Sequence, residues 1–117
     1  MIIENKTTRL LVRHLGPLEL DVLGIVWNAG EITSRDVFET MRERHPYGQS
    51  TILTVLRRLC NRGALEREDR NGMYHYSATI SRDELGTALI DMVTEQVFRG
   101  DPVPVIEHLT GRKLSRA

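Results

Sequence analysis

Residues 48–63, GQSTILTVLRRLCNRG, form a helix-like stretch that can bury only one of its sides. Ile52, Val55, Leu56 and Leu59 recur at helical spacing and fall within roughly a 100° arc, at about 100° per residue. The opposite side carries Ser50, Thr54, Arg57 and Asn61, with Leu53 at its edge and Arg58 on the far flank. Hydroxyls, an amide and guanidinium groups stand there, and no carboxylate lies between Tyr47 and Leu65. Side chains of that kind read base edges and hold phosphates without repelling them. An ordinary amphipathic surface helix shares the pattern, so the flanking segments decide.

Upstream, Pro17 suits the first position of a helix. Leu18, Val22, Ile25 and Val26 supply an inward stripe, and Ala29-Gly30 stops it. Trp27, the only tryptophan, reads as a core anchor. A second helix starts near Thr33, whose hydroxyl can cap it, with Asp36 three residues on. Val37, Phe38 and Met41 face inward, and the helix ends before Pro46. His45-Pro46-Tyr47-Gly48 is then a tight turn, and two helices joined this way make a helix-turn-helix. After Gly63, two strand-like runs (residues 64–69 and 73–78) flank Asn71-Gly72, a strong local hairpin signal. A helix-turn-helix followed at once by a hairpin is a winged helix. The expected fold class is mainly α with a small β-hairpin wing: a winged helix-turn-helix plus a C-terminal dimerisation helix.

That last helix opens on a capping box, Ser81 with Glu84, and is predicted to run to about Phe98. Its apolar residues spread over roughly 200°, wider than one packed face requires. A helix buried on two sides in so small a protein implies a partner subunit. The candidate seam is Leu85, Leu89, Met92, Val93 and Val97, joined by Ile106 and Leu109 from a short helix beyond the Gly100-Asp101-Pro102 break. The tail, Arg112 to Arg116, is basic and is read as mobile. Residues 1–14 carry Lys6, Arg9, Arg13 and His14. They read as a groove-following arm, as a frayed terminus, or as a short helix packing Leu10 and Leu11. The expected division is an N-terminal extension (1–14), a winged-helix DNA-binding domain (15–80), and a C-terminal dimerisation region with its tail (81–117).

A chain of 117 residues, 40% hydrophobic, is long enough to bury one core. Its 16 basic and 16 acidic side chains cancel, so net charge does not point to nucleic acid. Distribution does: residues 47–64 carry Arg57, Arg58 and Arg62 and no acid, whereas residues 16–36 set Glu19, Asp21, Glu31 and Asp36 against Arg35. No apolar run approaches the roughly 18–20 residues of a membrane span. The opening residues 1–6 lack the apolar core of a secretory signal. One cysteine forms no internal disulfide and agrees with a reducing cytoplasm, the expected location. His14, His45, His75 and His108 have no metal-ligand spacing among themselves or with Cys60. With no Gly-rich phosphate loop, Ser/His/Asp series or paired carboxylates, neither an enzyme nor a cofactor or metal site is expected.

Several of these positions carry a family likeness: Leu18-Glu19 with Val22 and Trp27, Ser50-Thr51-Ile52 with Thr54, Leu56 and Arg58-Leu59, Gly63 with the aliphatic residue after it, and Tyr76. Through them residues 15–109 resemble the penicillinase and methicillin-resistance repressors, dimeric bacterial winged-helix proteins. The run Thr-x-x-Thr-x-Leu-x-Arg-Leu from Thr51 carries most of the specificity. The resemblance implies a homodimer on a partly palindromic operator in double-stranded DNA, repressing genes of β-lactam resistance or related cell-envelope functions. It also implies a sensor-linked protease that cleaves the C-terminal region, but the Asn-Phe pair of that cleavage site is absent from residues 103–109. The family's copper-responsive branch carries a C-terminal cysteine cluster, which a lone Cys60 excludes.

The DNA-facing set is therefore Gln49, Ser50, Thr51, Leu53, Thr54, Arg57 and Arg58 from the helix, with Arg70 and Asn71 from the wing tip. Arg57 suits a bidentate guanine contact or a phosphate clamp. Ser50 and Thr54 suit phosphate, a thymine methyl or plain solvent. Thr51 is better placed for a phosphate or the helix start than for a base. Arg58 lies beside the core and suits an intramolecular ion pair as well as DNA. Arg70 and Asn71 suit a contact to the backbone or the minor groove, or a merely polar hairpin tip. The competing reading is a winged-helix protein-interaction module. The uninterrupted basic face favours DNA, because protein interfaces deplete charge at their centre.

Overall fold

The computed structural model describes residues 6–114. The readings made on residues 1–5 and on Ser115 and Arg116 lie outside the described residues, as does the side chain of Leu10. The order is α1 (Lys6–Arg13), α2 (Pro17–Ala29), β1 (Glu31–Thr33), α3 (Ser34–Arg42), α4 (Gln49–Asn61), β2 (Leu65–Arg70), β3 (Met73–Ala78), α5 (Arg82–Gln96) and α6 (Val103–Thr110). The protein is mostly helical, with one small antiparallel sheet ordered β1-β3-β2.

The core forms where the predicted stripes meet. Val22, Ile25 and Val26 of α2, Val37 and Met41 of α3, and Ile52, Val55, Leu56 and Leu59 of α4 are all buried. Leu65, Tyr76 and Ile80 close it from the sheet side. Leu23 is wholly buried as well, whereas Leu18, Trp27 and Phe38 are half-buried and pack around the rim. Trp27 does anchor: its indole Nε1 donates to the Ile80 carbonyl at 2.9 Å, joining α2 to the approach to α5.

Several element boundaries fall where the sequence places them. Thr33 caps α3, its hydroxyl accepting from the Asp36 amide at 3.2 Å. Helix α4 stops at Gly63, φ 79°, and the Gly63 and Ala64 amides bond back to Cys60 and Leu59. That is a Schellman close, which needs a left-handed residue and so favours glycine. Asn71 and Gly72 both have positive φ, 56° and 84°, as a two-residue hairpin turn of the primed type requires. The Ser81–Glu84 capping box is complete, with both bonds at 3.0 Å. Ser81→Ala is expected to cost about 1 kcal/mol, read as a lower midpoint in urea with an unchanged slope; an unmoved midpoint would make the cap dispensable.

One element differs from the sequence reading. Strand β1 was not anticipated; it lies antiparallel on β3, with Ile32 opposite Tyr76, and adds a third strand to the hairpin. Of the three readings of the N-terminal stretch, residues 6–13 take the short helix, packed against α5, with Thr8 and Leu11 buried. Arg62 also holds the end of that segment, donating to the His14 carbonyl at 3.0 Å.

The radius of gyration is 16.9 Å and the long axis measures 62 Å. A compact chain of this length would have a radius of gyration of roughly 13 Å. The excess accompanies an apolar C-terminal side left uncovered: Val93, Val97, Ile106 and Leu109 are exposed.

Candidate nucleic-acid interface

Burying Ile52, Val55, Leu56 and Leu59 fixes the rotation of α4, so its remaining side must face out. Gln49, Ser50, Leu53, Arg57, Arg58 and Asn61 are exposed, and Thr51 and Thr54 are half-buried. Gly48 precedes the helix without a side-chain cap, and no acid stands in the first turn. The free amides there add a partial positive charge to a side that already carries two guanidinium groups.

Details of that side refine the sequence reading. The Thr54 hydroxyl donates to the Ser50 carbonyl at 2.9 Å, so it faces outward as an acceptor and a methyl group rather than a free donor. Arg58 makes no ion pair among the described residues. It lines a shallow depression with Leu18, Glu19, Ser50, Thr51 and Thr54. Gln49 and Leu53 line a second depression with Ser34, Arg35, Phe38 and Glu39 of α3. Arg35 thus joins the neighbourhood of α4, though the periodicity of α4 alone gave no reason to include it. His45, in the turn before α4, lies 3.2 Å from Asp21 of α2 and ties that turn to the body.

The wing departs further from expectation. Arg70 was expected to reach outward from the tip. Its guanidinium instead makes a two-pronged contact with Glu31 of β1, and Nε and a second prong bond Glu68 at 3.1 and 3.2 Å. The hydrogen bond from Arg70 holds the Glu68 carboxyl below its ordinary value, and the two carboxylates raise the already high value of Arg70. His75 of β3 joins the group, its Nδ1 3.5 Å from Glu31. Asn71 remains exposed at the tip, and the Gly72 amide donates to Asp69 at 2.9 Å. Arg67, absent from the expected set, lies with its guanidinium 4.2 Å from the centre of the Tyr74 ring.

The seam residues divide. Leu85 must be withdrawn from the partner-facing set, because it is 1% exposed and belongs to this chain's own core. Leu89 packs half-buried against the same core, and Met92 lines a depression between α1 and α5. Val93, Val97, Ile106 and Leu109 stay exposed, and Ile90 joins them. Cys60 is half-buried, and burial pushes its thiol up. Among the described residues no group of three or more His, Cys, Asp or Glu could hold a metal ion, and no helix is long and apolar enough to cross a membrane.

A tight turn between α3 and α4, an exposed α4, and a hairpin closed by a third strand define a winged helix-turn-helix protein. The sequence profile of the penicillinase repressors matches residues 15–117, and the chain belongs to that family. It is 30% identical over 95 residues to an uncharacterised 16.5 kDa protein of the ptsI 3′ region of Latilactobacillus sakei, covering 81% of this chain and 57% of that one. It is 22% identical over 83 residues to the penicillinase repressor of Staphylococcus aureus, covering 71% of this chain and 66% of the relative. The chain thus spans less than two thirds of the length of either relative. The solution structure of the DNA-binding domain of the repressor BlaI superposes with a TM-score of 0.57 at 24% identity, over 61% of this chain and 87% of that domain.

Proposed function

We propose that this protein is a sequence-specific DNA-binding transcriptional repressor that acts as a homodimer on a partly palindromic operator. The observation that carries the reading is the exposed side of α4, free of acids and bearing Arg57 and Arg58 on a helix whose opposite face is buried in the core. In this arrangement α4 enters the major groove, Arg57 reads a base edge, and Ser50, Thr51, Arg58 and the helix start hold phosphates. Gln49, Leu53 and the Thr54 methyl complete the contact surface. The exposed apolar residues of α5 and α6 pair two copies, so that two recognition helices face half-sites about one helical turn apart. The family and its Staphylococcus aureus member, a penicillinase repressor, support control of β-lactam-resistance or related cell-envelope genes, by a cytoplasmic protein without catalytic activity. Release by a sensor-linked protease would need a scissile pair other than Asn-Phe, which α6 lacks.

The test is a gel shift on the DNA upstream of the protein's own gene, titrated with salt and competed with unrelated duplex. Preferential retention of the upstream fragment supports the reading, and equal competition by any duplex defeats the sequence-specific part. Arg57→Ala is expected to leave the fold intact and weaken specific binding by about 1–3 kcal/mol. If Arg57 touches phosphate alone, specific and non-specific binding weaken together. No change in either removes Arg57 from the surface.

A further inference from the structure

We propose that Arg67, not Arg70, is the cation through which the wing meets the DNA backbone, and that Arg70 is a positioning residue bracing the wing against β1. This rests on the DNA-binding reading above.

Strand register separates the two arginines. On β3, His75 lies opposite Glu68 of β2 and Thr33 of β1, and Ser77 lies opposite Glu66 and Glu31. Side chains alternate across a strand, so Glu31, Glu66, Glu68, Arg70 and His75 share one face. Arg67 pairs with Tyr76, which is buried in the core, and so belongs to the other face, toward α4.

Direction along the hairpin differs too. Arg70 pairs with Met73 beside the tip, yet its guanidinium meets Glu31, whose own pairing partner is Ser77 near the hairpin's base. The Arg70 side chain therefore leans back, away from the tip. Arg67 starts nearer the base, opposite Tyr76, and reaches Tyr74, which pairs with Asp69. It leans forward. Charge separates them as well. Two carboxylates neutralise Arg70, whereas Arg67 lies over an aromatic face, and no ion pair holds it among the described residues. A cation on a ring keeps its charge and gains a fixed direction. The bidentate Arg70–Glu31 pair, joining the outer strands of the sheet, suits bracing rather than ligand contact.

The probe is mixed-sequence duplex DNA, bound by the full chain and followed by fluorescence anisotropy across a salt series. Each phosphate contact contributes about 0.9 to the slope of log K against log[salt]. Arg67→Ala and Arg67→Gln are each expected to lower the slope by about that amount. Glu31→Gln is expected to weaken binding several-fold at every salt concentration without changing the slope, and to speed hydrogen exchange at the β1 amides. A Glu31→Gln protein that binds more tightly and with a steeper slope would overturn the brace, since Arg70 would then be a DNA cation held back by Glu31. Wild-type slopes in both Arg67 variants would overturn the Arg67 assignment. A wild-type protein with no salt-dependent binding to any duplex would fail earlier, at the DNA reading itself. Circular dichroism of each variant separates these outcomes from loss of fold.

Discussion

Leu56→Ala is expected to lower the free energy of unfolding by about 2–5 kcal/mol, the usual range for a buried leucine whose site cannot collapse. Leu56 is 0% exposed and belongs to the same buried cluster as Val22, Val26, Ile52 and Leu59. A small domain has only about 5–15 kcal/mol of stability in total. Urea unfolding followed by circular dichroism should show a much lower midpoint with an unchanged slope, because the same surface is still exposed on unfolding. A loss well under about 1 kcal/mol would show that the cavity refills, and that α4 is held less firmly than its burial implies.

The neighbouring position makes the contrast. Arg57 adjoins Leu56 in sequence but lies on the exposed side, so its removal should leave the midpoint in place. One helix thus carries two separable jobs. Stability depends on the side that faces the core, and recognition, as proposed, on the side that faces out. The separation follows from helical geometry alone: adjacent residues stand about 100° apart.

That geometry also explains which features the sequence revealed. The buried stripe of α4, the capping residues Thr33 and Ser81, and the Asn71-Gly72 turn each depend on neighbours within four residues, and each appears as read. Features set by distant partners stayed hidden. Strand β1 has only three residues, too few for a period-two pattern, and forms because Ile32 meets Tyr76 across 44 positions of sequence. The arginine expected at the wing tip turns back because Glu31, 39 residues away, receives it. Leu85 looked like part of a partner-facing arc because periodicity shows which residues are apolar, not which of two apolar sides meets its own core. Within the proposed reading surface the residues themselves were legible. The bond from the Thr54 hydroxyl to the Ser50 carbonyl and the presence of Arg35 beside Gln49 emerge only from the fold.

Val97→Arg is expected to separate the proposed dimer. Val97 is 66% exposed in the single chain, so the arginine should fold without strain, whereas Leu85, 1% exposed, would not accept a charge at all. In a two-fold interface the substitution occurs twice, and each copy brings an unpaired charge into the seam. An uncompensated buried charge costs about 3–5 kcal/mol, so the dimer dissociation constant should rise by at least about two orders of magnitude. Sedimentation equilibrium checks that shift, and circular dichroism should show wild-type helix content, since α2 to α4 and the sheet keep their own core. In a gel shift on the full operator the monomer should bind far more weakly, because the second half-site loses its high effective concentration. The combination matters more than either measurement alone. Monomeric protein with weakened operator binding places Val97 in the seam and couples pairing to recognition. Dimeric protein with unchanged binding moves the seam to α6, where Leu109 at 71% exposed is the next residue to carry the charge. A wild-type chain that sediments as a monomer while binding its operator tightly would defeat the homodimer, and with it the need for any seam.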